Sequence, residues 1–380
     1  MSILIMIIIF IIALLIIYGV ILVDLIAILD VFSVKKNWKW YLLPLCYTIF
    51  FLGVQLICKE ISASVNKAFY ITTWIILGIV LNCFLTSWLY LLIGIFYKWS
   101  KIAGIIIVII IPVILSIYGL LVPFFITIDK ITLKYKNFKG GKKTICQISD
   151  VHLGAVYQRD FSQKIVDKVN ELNPDIVVIT GDLSDGSYPV QPKWLEPFNQ
   201  IKQPILYITG NHEQIHGKEK MLKAVATTKI IHLKDIYEFN GINFIGVDYE
   251  DDLRSKLNML SDRNPENVNV CLVHVPSMKA EELKNYDIFL MLAGHTHGGQ
   301  IFPLHIPTLF SNACFWGLYE NNGRFVYVST GVGTANVPMR TFCKSQISLI
   351  TIENEESQDD NLNCSQFKSE EELKKKEVVQ

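Results

Sequence analysis

Eight side chains that could bind metal ions or transfer protons are grouped at five places between residues 150 and 297 of this 380-residue chain. They are Asp150 and His152, Asp182, Asn211 and His212, His274, and His295 and His297. Carboxylate oxygen, amide oxygen and imidazole nitrogen suit divalent ions such as Mn, Fe and Zn. Two metals about 3.5–4 Å apart can hold a hydroxide between them and clamp the attacking and leaving oxygens of a displacement at phosphorus. The set is large enough for two ions and indicates a two-metal hydrolytic site, with Mn as the favoured metal.

Each of these residues also has an ordinary structural interpretation. Asp150 and Asp182 could cap the helices that follow their loops, and Asn211 could supply a turn. A single histidine at a strand end, such as His274, is more often a hydrogen-bonded surface residue than a ligand. These interpretations do not explain why such residues occur together at five successive strand ends.

The string GNHEQIHG, residues 210–217, has a second functional interpretation. HEQIH fits the HExxH pattern of zinc proteases, in which His212 and His216 would hold the metal and Glu213 would be the base. That pattern needs both histidines on one face of a helix, whereas here it directly follows a β-rich run and a Gly-Asn turn. The protease would also leave the other metal-type loops without a role. It remains the alternative hypothesis, beside a non-catalytic binding module.

A β-rich run precedes each polar loop, and an apolar pattern with helical spacing follows the first of them in FSQKIVDKVNEL. The runs are TICQIS, DIVVIT, PILYIT, VNVCLV and YDIFLMLA. Strands that alternate with helices predict an α/β domain with largely parallel pairing. Ligands of such sheets bind at the carboxyl ends of the strands, so the polar residues are expected to converge in one cleft. The weaker runs INFIGV, RFVYVST and QISLITI are expected to complete the sheets.

The first 128 residues contain nearly all of the long apolar runs. A helix needs about 20 apolar residues to cross a bilayer core, and four stretches meet that length: 3–23, 40–58, 73–97 and 102–128. Tryptophan and tyrosine residues lie at their edges, where aromatic belts are expected. The sequence therefore predicts a multi-pass anchor in the cell membrane. Lysines in the first and third loops and after the fourth span give conflicting topologies. The larger cluster, after the fourth span, favours a cytoplasmic catalytic domain.

Composition excludes several other classes of protein. The formal net charge is zero, so no basic surface indicates nucleic acid binding. The eight cysteines include no CxxC pair, which argues against a disulfide framework or a cysteine-based zinc site. The charged segment 353–380 is poor in aromatic residues and is expected to be a disordered tail.

The strings DVH, GD, GNHE, a histidine at a strand end and GHTHGGQ occur in this order. Over residues 143–352 the chain resembles the calcineurin-like metallophosphoesterases in these motifs. GHTHGGQ and STGVGTANVPMR further resemble the bacterial membrane-associated, YkuE-like branch of that family. The resemblance implies a four-layer α/β/β/α sandwich built on two mixed sheets, attached to the membrane region 1–128.

The resemblance also implies a role for each residue at a matching position. One metal would be held by Asp150, His152, Asp182 and His297, and a second by Asp182, Asn211, His274 and His295. Asp182 would thus bridge the two ions, and His212 would be the general acid.

Arg340 and Gln300 would contact the phosphate of the substrate, with Asp185 as a further candidate. The string CKSQ at residues 343–346 departs from the family pattern and weakens the expectation for Arg340. The expected activity is metal-dependent hydrolysis of phosphate monoesters or diesters by a metal-bridging hydroxide, with lipid-linked pyrophosphates among the possible substrates.

Overall fold

The computed structural model describes residues 3–57, 63–186, 189–214, 217–259 and 264–355 of the chain. A group of long apolar helices precedes an α/β domain. The helices are α1 (Ile3–Val31), α2 (Leu42–Ile57), α3 (Ala63–Gly94), α4 (Lys101–Ile105), α5 (Ile111–Leu121), α6 (Arg159–Leu172), α7 (Pro192–Leu195), α8 (Lys218–Val225), α9 (Leu253–Met259) and α10 (His305–Ser311). A π-helical stretch, Ile106–Ile110, joins α4 to α5, so these two form one continuous rod.

The strands of the α/β domain agree with the β-rich runs of the sequence. They are β1 (Thr127–Tyr135), β2 (Lys142–Ile148), β3 (Ile176–Thr180), β4 (Ile205–Ile208), β5 (Ile230–His232), β6 (Ile236–Phe239), β7 (Ile242–Gly246), β8 (Val268–Leu272), β9 (Leu290–Ala293), β10 (Gly317–Asn321), β11 (Arg324–Val328) and β12 (Gln346–Asn354). The five runs that precede polar loops form β2, β3, β4, β8 and β9. The three weaker runs form β7, β11 and β12, so these expectations are confirmed.

The strands form two mixed sheets. The first has the order β1-β12-β2-β3-β4-β5 and the second the order β10-β11-β9-β8-β7-β6. In the first sheet only β12 and β2 pair antiparallel. In the second sheet the antiparallel pairs are the two at the edges, β10 with β11 and β6 with β7. Strands β2 to β5 of the first sheet, and strands β11, β9, β8 and β7 of the second, therefore pair in parallel, in line with the largely parallel pairing that the sequence predicted.

Packing arranges the sheets and helices in four layers. Every residue of β3, IVVIT, is buried, because a strand covered on both faces has no solvent side. Val178 lies in the core between the two sheets, whereas its neighbour Val177 packs with Ile165 of α6 in a core on the outer face. Leu257 of α9 lies in a third core, on the outer face of the second sheet. The layers are thus α/β/β/α.

Strand β1 differs from the expectation for this part of the chain. The fourth predicted span ended at residue 128, but β1 begins at Thr127 and pairs in parallel with β12 along its whole length. Lys130 and Lys134 are exposed positions of this strand. These charged residues interrupt the run of β-forming residues, so the sequence did not predict a strand here. The first sheet therefore begins before residue 143, where the domain was expected to start.

The membrane region is supported only in part. By length and composition, two helical segments among the described residues could cross a membrane, Lys67–Gly94 and Lys101–Phe124. A shorter apolar segment, Trp38–Val54, corresponds to the predicted span 40–58. The predicted span 3–23 lies in α1, and the side chains of residues 3–14 are outside the described part. Of the predicted tail, residues 356–380 also lie outside the described part.

Candidate metal centre

The carboxyl ends of five strands bring the predicted residues together. Asp150 and His152 follow β2, Asp182 follows β3, and Asn211 and His212 follow β4, all in the first sheet. His274 follows β8, and His295 and His297 follow β9, in the second sheet. Three sets of these residues have side-chain nitrogen and oxygen atoms within 4.8 Å of one another. The expected convergence of distant loops in one cleft is therefore observed.

The first group is formed by Asp150, His152 and His297. The Nε2 atoms of His152 and His297 are 2.9 Å apart, and Nε2 of His297 is 3.4 Å from Oδ1 of Asp150. Two imidazole nitrogens at this distance repel each other through their lone pairs unless a proton or a cation lies between them. Two nitrogens and a carboxylate oxygen directed at one point fit a divalent metal.

The second group is formed by Asn211, His274 and His295. Oδ1 of Asn211 is 2.9 Å from Nε2 of His274 and 3.0 Å from Nδ1 of His295. Nδ1 of His274 is 2.9 Å from the carbonyl oxygen of Thr180, to which it donates. That bond orients the ring so that Nε2 of His274, the nitrogen that would hold a metal, is directed into the group.

Asp182 lies between the two groups. Its Oδ2 atom is 3.1 Å from Nε2 of His274 and 3.7 Å from Nε2 of His152. Its Oδ1 atom accepts the backbone N–H of His212 at 2.9 Å, which fixes the carboxylate plane. One carboxylate oxygen thus faces both groups, as a bridging ligand would.

The backbone of the site adopts conformations that side-chain-bearing residues rarely occupy. Five candidate ligands have φ in the left-handed region: Asp150 (54°), His152 (54°), Asp182 (50°), His295 (72°) and His297 (51°). Such residues cost of order 1–3 kcal/mol each and persist where the surrounding structure holds them. Gly331, with φ of 77°, allows the backbone to approach Asp150 closely, because a Cβ atom at this position would lie 2.7 Å from Cβ of Asp150. The loops therefore keep backbone conformations of higher energy, and these conformations place the candidate ligands close together.

The buried pair Asp182 and His274 carries opposite charges. Burial acts to raise the pKa of Asp182, but the charge of His274 and its hydrogen bond outweigh burial and lower that pKa below its usual range. Burial acts to lower the pKa of His274, but Asp182 outweighs it and raises that pKa to about 10. The pair is therefore held by mutual attraction in a site from which water is largely excluded.

Three of the candidate ligands, His152, His295 and His297, are neutral histidines at pH 7. Burial, followed by the nearby charge of His212, lowers the pKa of His152 well below its usual value. Burial lowers the pKa of His297 in the same way and that of His295 to about 4. Metals bind neutral imidazole, so these three histidines are already in the form that coordinates a cation. Burial also raises the pKa of Asp150 to about 6.

His212 and Glu213 lie in a short 3-10 helix, His212–Gln214. Nδ1 of His212 is 2.7 Å from the carbonyl oxygen of Asp185, which orients its ring toward that of His152. The Glu213 carboxylate is buried and accepts three backbone N–H groups, from Asp182, Ser184 and Gly210. The HEQIH string therefore begins in a short 3-10 helix rather than in the α-helix that the zinc-protease pattern needs. His216, the second histidine of that string, lies outside the described residues.

Sequence reasoning did not find this structural role of Glu213. Its three backbone partners belong to the loops after β3 and β4, which also carry Asp182 and Asn211. The only signal in the sequence was an acidic residue two positions after Asn211, and the protease pattern gave that residue a different role. A carboxylate committed to three backbone donors is poorly placed to act as a base.

The structure gives Arg340 and Gln300 little freedom to contact a phosphate. The Arg340 side chain is fully buried, and its guanidinium donates to the carbonyl oxygens of Thr330 (2.7 Å) and Lys344 (2.9 Å), among others. Gln300 donates from Nε2 to the carbonyl oxygens of Ala335 and Val337 at 3.0 and 2.8 Å. Both residues therefore hold the loop between β11 and β12, and the predicted phosphate contacts are unsupported.

Asp185, in the loop after β3, likewise has a side chain that holds a loop in place. It is buried beside the loop after β2, and Oδ2 accepts the backbone N–H of Ala155 at 3.1 Å. Its carbonyl oxygen accepts from His212, as described above. Asp185 therefore contacts the candidate acid through its backbone, while its side chain holds a loop.

Comparison with known proteins agrees with this geometry. Residues 143–299 match the family model of the calcineurin-like phosphoesterases. An uncharacterized metallophosphoesterase of Helicobacter pylori (strain ATCC 700392 / 26695) is 32% identical over 219 residues, which cover 55% of this chain and 59% of that protein. A Danio rerio transmembrane protein with metallophosphoesterase domain is 31% identical over 268 residues, which cover 64% of this chain and 61% of that protein.

A third relative belongs to the branch indicated by the motifs. The uncharacterized metallophosphoesterase YkuE of Bacillus subtilis (strain 168) is 28% identical over 239 residues, covering 57% of this chain and 80% of that protein. The resemblance inferred from the motifs is confirmed by these matches. The chain spans about three fifths of the length of the Helicobacter and Danio relatives.

Proposed function

We propose that the protein is a membrane-anchored hydrolase of phosphate esters with two divalent metal ions, because residues 143–299 match the family model of the calcineurin-like phosphoesterases. The observation that carries the proposal is the place of Asp182, whose Oδ2 atom faces nitrogen donors of both groups. A structural role for Asp182 alone would not require imidazole nitrogens on both sides of one oxygen atom. Both mono- and diesters are compatible with this site.

The donor atoms fit two divalent ions of the Mn, Fe or Zn type, with Mn favoured. We assign one ion to Asp150, His152, Asp182 and His297, and the other to Asp182, Asn211, His274 and His295. When bound, these ions would supply Lewis acidity toward water and toward the charge that develops on the phosphate. The neutral His152 and His297 and the ionised Asp182 already have the protonation states that such binding requires. His274, whose pKa is raised to about 10 by Asp182, would release its Nε2 proton on binding a metal.

His212 is assigned the proton transfer to the leaving group. Its Nδ1 atom is engaged with the carbonyl oxygen of Asp185, so the ring presents Nε2 on its other side. The ring centroid lies 4.7 Å from that of His152, which places it beside the first group. A histidine oriented by one ring nitrogen and facing the substrate with the other is suited to general acid catalysis.

The N-terminal helices are assigned the role of a multi-pass anchor in the cell membrane. Two segments meet the length and apolar composition of a span, and relatives from fish and cattle are named transmembrane proteins. We place the boundary between Phe124, the last residue of the second candidate span, and Thr127, where β1 begins. The catalytic domain is assigned to the cytoplasmic side on lysine distribution. The residues after β12 are assigned to a tail without an active role, because the strand extends to Asn354, beyond the expected start of the tail at residue 353.

The test is hydrolysis by the full-length protein, purified with its helices in lipid nanodiscs and supplied with Mn. The substrates are p-nitrophenyl phosphate and bis-p-nitrophenyl phosphate, with Asp182→Asn as the inactive comparison. For the unchanged protein we expect metal-dependent release of p-nitrophenol and two bound metals per chain. In Asp182→Asn we expect the loss of this activity and of the bound metals. Cleavage of a peptide substrate with one bound zinc and no phosphate release would establish the protease alternative instead.

A further inference from the structure

A cavity of about 320 Å³ lies between the N-terminal helices and the candidate metal centre. Its apolar end is lined by side chains of α1 and α3, among them Val20, Leu77 and Leu81. Its other end is lined by His295 and His297, one from each proposed metal group. The volume lies in the range of about 300–1,000 Å³ that is typical of small-molecule sites. One cavity therefore joins an apolar region to a site suited to phosphate.

The wall of this cavity is fixed by close contacts between the helices and the loop between β11 and β12. Val337 and Met339 of that loop pack on α3 at Gly78, where a Cβ atom would lie 2.8 Å from the first and 2.7 Å from the second. The backbone N–H of Arg340 donates to the carbonyl oxygen of Gly119 in α5 at 2.9 Å. The cavity is thus a built feature of the joined helices and domain.

The side chains of α1 and α3 determine which kind of ligand the cavity suits. Trp74 of α3 lines it, and the buried Nε1–H of Trp74 has no hydrogen-bond partner within the described part of the chain. That N–H is itself shielded from the cavity, so Trp74 contributes mainly an apolar ring to the lining. The residues of α1 and α3 that line the cavity include no charged side chain, so only an uncharged chain suits that end.

Helix α10 borders the same cavity through Thr308, and Leu304 just before the helix also lines it. The outer face of this segment is apolar and exposed, with Ile306 52% and Phe310 82% accessible. A soluble surface seldom exposes such large apolar side chains together without a function in binding. Beside helices that can span a membrane, this face suits contact with a bilayer surface. The cavity then lies where an amphipathic molecule could enter from the lipid.

We propose that the substrate is an amphipathic phosphate ester whose hydrocarbon chain occupies this cavity between α1 and α3. Its phosphate would lie at the metal centre beside His295 and His297. This inference rests on the proposed function, because the phosphate end is assigned to the proposed metal site. It extends that function by naming the class of substrate.

The test uses octyl phosphate with a photoreactive diazirine on its terminal carbon, added to the Mn-loaded full-length protein in nanodiscs. After irradiation, mass spectrometry locates the labelled residues. We expect labels on α1 near Val20 and on α3 near Leu77. Excess octyl phosphate should remove them, whereas excess octanol should not, because only the phosphate binds the metal centre.

Variants that fill the cavity should reduce this competable labelling. Leu77→Phe fills it from α3 and Val20→Phe fills it from α1. Burying about four methylene groups changes binding on the order of 100-fold, so the loss should be at least about tenfold. Ile76→Phe is the matched control, because Ile76 is exposed on the same helix and does not line the cavity. Thermal unfolding of each variant identifies one that fails to fold, and the variant from the opposite wall then decides.

The outcomes separate this inference from the proposed function. Labels spread over lipid-facing positions such as Ile49 of α2, without competition by octyl phosphate, would overturn the cavity assignment. Equal competable labelling in folded Leu77→Phe and Val20→Phe would do the same. Binding is read here without turnover. Competable labelling in a protein that hydrolyses neither p-nitrophenyl ester therefore keeps the binding site while refuting the catalytic proposal.

Discussion

Replacing Glu213 with glutamine exchanges one oxygen for an amide group in a side chain that is 1% exposed. Oε1 accepts the N–H of Ser184 at 2.9 Å, and Oε2 accepts those of Asp182 and Gly210 at 3.1 and 2.6 Å. Glutamine has one oxygen and can direct it to only one of these two sides. In the better orientation it keeps Asp182 and Gly210 and places its NH₂ group against the N–H of Ser184.

The magnitude follows from that mismatch. A buried donor left without an acceptor costs about 1–3 kcal/mol. Asp182 and Asn211 lie in the loops that Glu213 joins, so the cost falls on the arrangement that holds the metals. If it falls there completely, metal affinity decreases by about 5- to 150-fold, since 1.4 kcal/mol corresponds to about tenfold. We therefore expect Glu213→Gln to lower the melting temperature and to leave less metal bound at limiting Mn.

The assay combines thermal unfolding with metal content measured by mass spectrometry and hydrolysis of bis-p-nitrophenyl phosphate. Glu219→Gln is the matched control, since Glu219 is exposed in the first turn of α8 and should change none of these quantities. Excess Mn should restore part of the activity of Glu213→Gln. The reasoning would be refuted by unchanged melting and metal content together with lost peptide cleavage, because Glu213 would then be the base of a zinc protease.

Four further substitutions test individual residues of the site. Asp182→Asn should weaken both metals and nearly abolish turnover, whereas His152→Ala should weaken mainly one and recover partly in excess Mn; full occupancy in Asp182→Asn would contradict the bridge. His212→Ala should keep both metals and lose about 10²–10⁴-fold in rate, most with poor leaving groups. Metal loss in that variant would show His212 to be a ligand. Arg340→Lys should lower the melting temperature, since each lost bond from a charged donor costs about 1.5–3 kcal/mol. A raised KM with an unchanged melting temperature would instead support the predicted contact between Arg340 and the phosphate.

The sequence predicted the central strands and the ligand loops because both have short-range signals. A strand buried on both faces consists of a continuous run such as IVVIT, and its polar residue follows at once in Asp182. The carboxyl ends of parallel strands lie at one edge of a sheet, so convergence follows from topology without knowledge of side-chain contacts. The assignment of Asn211, His274 and His295 to one group came from the resemblance to the calcineurin-like metallophosphoesterases.

Other features could not be predicted because their causes are distant in sequence. Strand β1 is specified by its pairing with β12, more than two hundred residues later along the chain. The short edge strands β5, β6 and β10 have three to five residues each, too few for a clear pattern. Arg340 had the residue type of a phosphate contact, and only its buried carbonyl partners reveal the structural role. The left-handed φ of His295 likewise depends on the folded loop, not on its own preference.

The loop between β11 and β12 gives the helices a part in the site beyond attachment. Arg340 binds carbonyl groups of this loop with its side chain and the carbonyl of Gly119 in α5 with its backbone. Gly331 in the same loop packs against Asp150. A fragment that begins at Thr127 would keep both sheets, yet it would expose Val337 and Met339, which are buried against the helices. Since this loop supports a ligand and also rests on the helices, their removal should disturb metal binding as well as membrane attachment.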